Sequence, residues 1–206
     1  MAAPARRERE KAEFREDVLE AARKIVFEGG FGALTMRKIA EAIEYSPGTI
    51  YLYFESRDAI AHELCYRGFE ELLRAMAPVA SIADPRERLA AFGRAYVAFG
   101  LDQPQTYRLI FMEDPKFSNA VFEHEAEAGS PGAQALGLLI TAFEELKALG
   151  RMPAAANSAA LADVLWAAVH GIVSLKLTCR DYPETPADEL TATMTAALLD
   201  GLVPPV

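Results

Sequence analysis

The sequence is poor in the residues that carry catalytic or metal chemistry. Its 206 residues include two cysteines, Cys65 and Cys179, far apart and outside any C-x-x-C. Neither a disulfide framework nor a zinc cluster is expected, and both thiols read as free in a reducing compartment. Three scattered histidines, His62, His124 and His170, match no metal-ligand spacing. There is no G-x-x-x-x-G-K-[ST], no G-x-G-x-x-G and no G-x-S-x-G, so no phosphate-cradling loop or nucleophile elbow is expected. No uncharged apolar run reaches ~18 residues, and the start MAAPARREREKAEFRE lacks a signal-peptide core. The expectation is a cytoplasmic protein without a membrane partner. Basic charge is scarce too: 21 Lys+Arg stand against 30 Asp+Glu, a net charge of −9. That balance argues against non-specific binding of a polyanion.

What remains is a foldable chain, 51% apolar and 25% charged, long enough for one large domain or two small ones. Strand alternation is nearly absent and helical period dominates, so the fold class is all-α. Phe14, Val18, Ala22, Ile25 and Val26 predict a helix over 14–28, ended by Gly29-Gly30. Thr35 is placed to cap a short second helix with Met36, Ile39 and Ala40 inward. Ser46-Pro47 then opens a third, and Ser56 a fourth that reaches about Ala77. Further on, Asp84-Pro85-Arg86-Glu87 reads as a capping box, followed by a short aromatic helix over 106–112. Residues 113–132 are acidic and end in Gly129-Ser130-Pro131-Gly132, the pattern of a mobile segment. Three helices complete the chain, one around Leu136–Leu146, one over 157–180 and one from the Thr185-Pro186 cap to about 202. The organisation expected is a flexible basic arm over 1–12, a first domain over 13–74 and a second over 75–206.

Two short helices behind a longer one make a helix-turn-helix, whose second helix enters the major groove. From 45 to 54 there is no acidic residue to repel phosphate. Ile50 and Phe54 can anchor this helix inward, leaving Gly48, Thr49, Tyr51 and Tyr53 for outward contacts. Arg57 offers a charge-assisted phosphate bond, and Thr35 marks a helix start that also suits phosphate. Paired short helices also occur in proteins that never meet DNA, and an aromatic run such as Tyr51, Tyr53 and Phe54 also suits a core.

The order T-M-R-K-I-A-E-A-I-E-Y-S-P-G-T-I-Y-L-Y-F-E-S-R-D-A-I resembles the N-terminal domain of the TetR family of transcriptional regulators, over about 13–74. The resemblance implies a DNA-binding set of Thr35, Arg37, Lys38, Ser46, Pro47, Gly48, Thr49, Tyr51, Tyr53 and Arg57. Within it, Thr35, Tyr51 and Arg57 meet phosphates. There are departures. The turn, which often holds a glycine, reads Ile43-Glu44-Tyr45; a non-glycine residue there is expected to be slightly strained, and Glu44 to point away from DNA. Leu52 is apolar where polar residues are frequent, which leaves the base-reading residue open.

In the second half, Leu165 to Leu175, containing Trp166 and His170-Gly171, looks like the TetR-type C-terminal domain named for its Trp and His-Gly residues. Trp166 and His170 lie four apart on one helix face. They fit a packed core pair or, with Phe92, Tyr96, Tyr107 and Phe111, the walls of a ligand cavity. The resemblance further implies homodimers through the last two helices and, hence, a double-stranded DNA operator with palindromic character. The expected function is a sequence-specific transcription regulator, a repressor released by an unidentified small apolar effector. A helical small-molecule carrier or interaction module without DNA affinity is the alternative. No cofactor or metal is expected. An enzyme is not expected either, since His170, Cys65 and the Glu123/Glu125/Glu127 cluster show no nucleophile–base spacing.

The acidity is uneven. Residues 1–75 carry 12 Lys+Arg against 14 Asp+Glu and residues 76–206 carry 9 against 16, so most of the repulsion lies outside the helix-turn-helix. Weak non-specific affinity and a fitted site follow.

Overall fold

The structure, a computed structural model, describes residues 2–114, 116–117, 129–179 and 181–202. Among them are nine α-helices: α1 (Ala2–Ala33), α2 (Met36–Ala42), α3 (Pro47–Tyr51), α4 (Arg57–Met76), α5 (Pro85–Asp102), α6 (Pro104–Phe111), α7 (Pro131–Ala148), α8 (Ser158–Thr178) and α9 (Ala187–Leu202), with a 3-10 turn at Ala77–Ser81. The chain divides into two compact units, Met1–Gly68 with Arg108–His124 and Phe69–Tyr107 with Glu125–Val206. The division falls within α4 and within α6.

The first unit is the helix-turn-helix. Phe14, Val18, Leu19, Ala22 and Val26 of α1 are buried, with Met36, Ile39 and Ala40 of α2, Ile50 of α3, and Ile60 and Leu64 of α4. Burying each such large side chain contributes roughly 1.5–3 kcal/mol. Residues 2–12, expected as a flexible arm, are helical from Ala2, with an Arg6–Glu10 ion pair of 2.7 Å along the surface. Gly30 interrupts α1 with φ +69°, a conformation that glycine adopts without the Cβ clash of other residues. The chain then turns to bury Phe31 and Leu34.

The second unit is built around α5, which packs against α7, α8 and α9. Asp84 caps α5 by accepting from the Glu87 amide at 2.8 Å. It also pairs with Arg151, and the two interactions, the amide first, hold its carboxyl below the usual range. A Cβ on Gly100 would collide with Val173 and crowd Tyr107, so its missing side chain is what allows α5 and α8 to approach. Ser130 accepts from the Ala133 amide at 3.0 Å and starts α7 at Pro131. The Gly129–Gly132 cluster thus holds a helix start, while most of the segment expected to be mobile, including the acidic positions Glu123, Glu125 and Glu127 and His124, lies outside the described residues. By length and hydropathy α8 reaches the range of a membrane span, although Asp163, His170 and Lys176 interrupt it. Lys176 donates to the carbonyls of Pro183 and Thr185, at 2.6 and 2.7 Å, tying the end of α8 to the loop before α9.

Candidate nucleic-acid interface

Local capping places the interface. The Thr35 hydroxyl accepts from the Lys38 amide at 3.1 Å and starts α2. Four residues beyond α2, the Ser46 hydroxyl accepts from the Thr49 amide at 3.2 Å, and Pro47 takes the first position of α3. The turn between them holds Glu44 at φ +59°, the strained geometry expected where glycine is usual. Ser56 accepts from Ala59 at 3.1 Å to start α4.

The short α3 is pinned from behind. Ile50 and Phe54 are buried at 0% and 4% exposure. Arg15 of α1, which the sequence does not single out, holds the end of α3 in three ways. It donates to the Tyr53 carbonyl at 2.7 Å, sits 4.2 Å above the Phe54 ring and pairs with Glu63 of α4 at 2.7 Å. Arg67 joins Glu63 as well and is bidentate to Glu16, whose carboxyl that hydrogen bond keeps below its usual range. Phe14 packs on Tyr53 at 4.5 Å and on Tyr45 at 5.0 Å.

The opposite face is open. Pro47, Gly48, Tyr51 and Leu52 are exposed, Leu52 at 79%. Thr49 and Tyr53 are half-buried, and the Thr49 hydroxyl lies 3.0 Å from that of Ser46. On α2, Arg37 pairs with Glu41 at 2.9 Å and Lys38 is exposed. Arg57 donates to the Leu34 carbonyl at 3.3 Å and to Asp58 at 3.1 Å, which brings its guanidinium beside the start of α2, next to Thr35. Lys116 also bonds Asp58, at 2.7 Å, and is the larger reason why that carboxyl titrates low.

The six residues considered as ligand contacts are placed differently. Tyr96 and Tyr107 are buried at 1% and 0% exposure, and Phe92 at 3% stacks on Tyr96. The Tyr107 hydroxyl lies 2.5 Å and the Tyr96 hydroxyl 3.3 Å from His170 Nδ1, and the two hydroxyls are 3.3 Å apart. Trp166 Nε1 donates to the Tyr96 hydroxyl at 3.2 Å. Burial lowers the His170 pKa below its ordinary value, so a neutral ring accepting at Nδ1 suits the short contact with the Tyr107 hydroxyl. Phe111, on the same helix as Tyr107, is half-buried and belongs to the first unit. A cavity of about 310 Å³ in the second unit lies between α5 and α9, lined by Arg86, Arg94, Thr191 and Thr195 among others, and includes none of the six.

A capped, buried-side-anchored second helix with an acid-free open face is a DNA-reading device. Residues 18–64 match the model of bacterial regulatory proteins of the tetR family, and residues 89–198, more than half of the chain, match a tetracyclin repressor-like C-terminal domain. The chain belongs to the TetR family and is a DNA-binding transcriptional regulator. The C-terminal match names no Trp/His-Gly subgroup.

Solved structures share the fold. A protein of unknown function from Rhodococcus sp. RHA1 is 24% identical over 92% of this chain and 95% of its own, with TM-score 0.73. The fatty acid degradation regulator FadR of Bacillus halodurans is 18% identical over 91% and 95%, with TM-score 0.71. AibR in complex with isovaleryl coenzyme A and operator DNA is 17% identical over 93% and 99%, with TM-score 0.63. No curated protein matches this chain.

Proposed function

We propose that the chain is a repressor that binds a palindromic operator as a homodimer and is released by a small apolar ligand. The observation that carries this reading is the exposed, acid-free face of α3, held in place by Ile50, Phe54 and Arg15. Thr35, Tyr51 and Arg57 sit at its edges as phosphate contacts, with Arg37, Lys38 and Ser46 nearby. Pro47, Gly48, Thr49 and Tyr53 complete the set toward the bases. Dimerisation falls to α8 and α9, which leave Ala160, Val164, Ala167, Leu175, Ala196 and Ala197 exposed, small and apolar residues that allow close helix approach. A two-fold dimer sets its recognition helices about 34–36 Å apart, one turn of duplex.

The effector site is the aromatic group of Phe92, Tyr96, Tyr107, Trp166 and His170, apolar rings with a few polar tips. A ligand that inserts there and favours one conformation over the other shifts the population, by no more than its differential affinity. The chain continuity of α4 through both units makes it the coupling element. AibR binds isovaleryl coenzyme A, which makes that thioester a reasonable first probe. The protein acts in the cytoplasm and catalyses no reaction.

Fluorescence anisotropy on duplexes from DNA flanking its own gene, at ~0.15 M salt where screening is short-ranged, tests the reading. Preference for one duplex over random sequence, reversed by ligand, supports it. Ligand binding without DNA preference turns the assignment to a carrier.

A further inference from the structure

Position 52 was left open by the sequence, and its surroundings now define what it can read. Leu52 is the C-cap of α3 and keeps helical dihedrals, so Gly48, Tyr51 and Leu52 follow at i, i+3 and i+4 on one face, and all three are exposed. Gly48 adds no side chain, so the backbone itself can come close to a duplex there. Leu52 is 79% exposed, the highest exposure among the described large apolar residues. That exposure leaves the aliphatic side chain accessible to a partner, and covering it there removes apolar surface from water.

The major groove offers few chemistries to such a face. Guanine is read by Arg or Lys, adenine by Asn or Gln, and cytosine by Asp or Glu. Between 45 and 54 none of these six residue types occurs. The Thr49 hydroxyl is engaged with that of Ser46. On α2, Arg37 is held by Glu41, and the first helix of this motif crosses the backbone instead of entering the groove. What an aliphatic group can recognise in the major groove is the C5-methyl of thymine, which cytosine and both purines lack.

We propose that Leu52 is a specificity-determining residue and that it selects thymine by its C5-methyl in each operator half-site. The inference rests on the operator-reading role proposed above. Tyr51, on the same face, keeps its place at the phosphates, and Leu52 adds a thymine contact to the residues directed toward the bases.

The test selects bound sequences from random duplex DNA with the full chain, then replaces each thymine of the selected site by uracil, one at a time. Uracil pairs as thymine does and differs only by the missing methyl. Wild type is expected to lose about fourfold in affinity at one position per half-site, the worth of one buried methyl-sized group. Leu52→Ala, folded by circular dichroism, is expected to bind more weakly and to lose this sensitivity at that position. A selected site with no uracil-sensitive position, or one equally sensitive in Leu52→Ala, overturns the proposal while leaving operator reading intact. Selection that returns no consensus overturns both.

Discussion

Tyr45 and Tyr51 in the first unit are 54% and 55% exposed, while Tyr96 and Tyr107 in the second are almost wholly buried. The same side chain is put to opposite uses. In the first unit the buried layer is apolar, Ile50 and Phe54 against α1 and α4, and the tyrosine edges face outward. In the second, two phenols converge on His170 Nδ1 while Trp166 donates to the Tyr96 hydroxyl, and burial above all raises both phenol pKa values well above the ordinary range. These hydroxyls stay protonated at any physiological pH. The difference separates a surface made to meet an external polar partner from an interior cluster that joins α5, α6 and α8 by mutual hydrogen bonds and that the proposed ligand must part to enter.

Substitutions that break this contrast are ordered by size. Phe54→Ala removes the ring beneath Arg15 and the anchor of α3, and a loss of about 3–5 kcal/mol is expected, read by urea denaturation, together with loss of DNA binding. Tyr107→Phe deletes one hydroxyl from the buried cluster and removes the shorter of the two phenol bonds at His170 Nδ1; about 1–3 kcal/mol is expected. A neutral Tyr107→Phe would dissolve the contrast, since the buried hydroxyls would then be ornamental. Glu44→Gly relieves the left-handed turn, and a gain of about 1 kcal/mol should appear as a higher melting temperature. The smallest effect concerns acid. Because the folded-state pKa of Asp84 is depressed, its contribution is full above the ordinary carboxylate pKa and lost as pH falls through the lower folded value. Asp84→Asn retains a capping oxygen but not the charge facing Arg151, so its stability should fall less steeply on acidification; an unchanged profile would place the acid response elsewhere.

Local signals were readable and long-range ones were not. Thr35, Ser46 and Asp84 cap the helices that their positions predict, because a cap is decided within three residues. The motif at Ser130 carries the same signal but was outweighed by its neighbouring glycines and proline. Residues 2–12 show no apolar stripe, so periodicity had nothing to detect, and their helix continues α1 with i,i+4 pairing on the surface. Arg15 and Glu63 lie 48 positions apart, and no spacing announces such a pair. Tyr96, Tyr107, Trp166 and His170 share one hydrogen-bonded cluster, and pattern alone does not decide between a solid cluster and cavity walls. At Leu52 the residue type was plain, and its exposure was what gave it meaning.

The most direct measurement is anisotropy of the intact chain on its flanking duplex and on random duplex across a salt series, with Tyr51→Phe beside wild type. Wild type should prefer one duplex by at least about 10³-fold. Tyr51→Phe, which removes one phosphate-facing hydroxyl, should weaken binding by a similar factor on every sequence. A folded wild-type protein that binds every duplex alike would contradict the assignment of the open face of α3 as the reading surface.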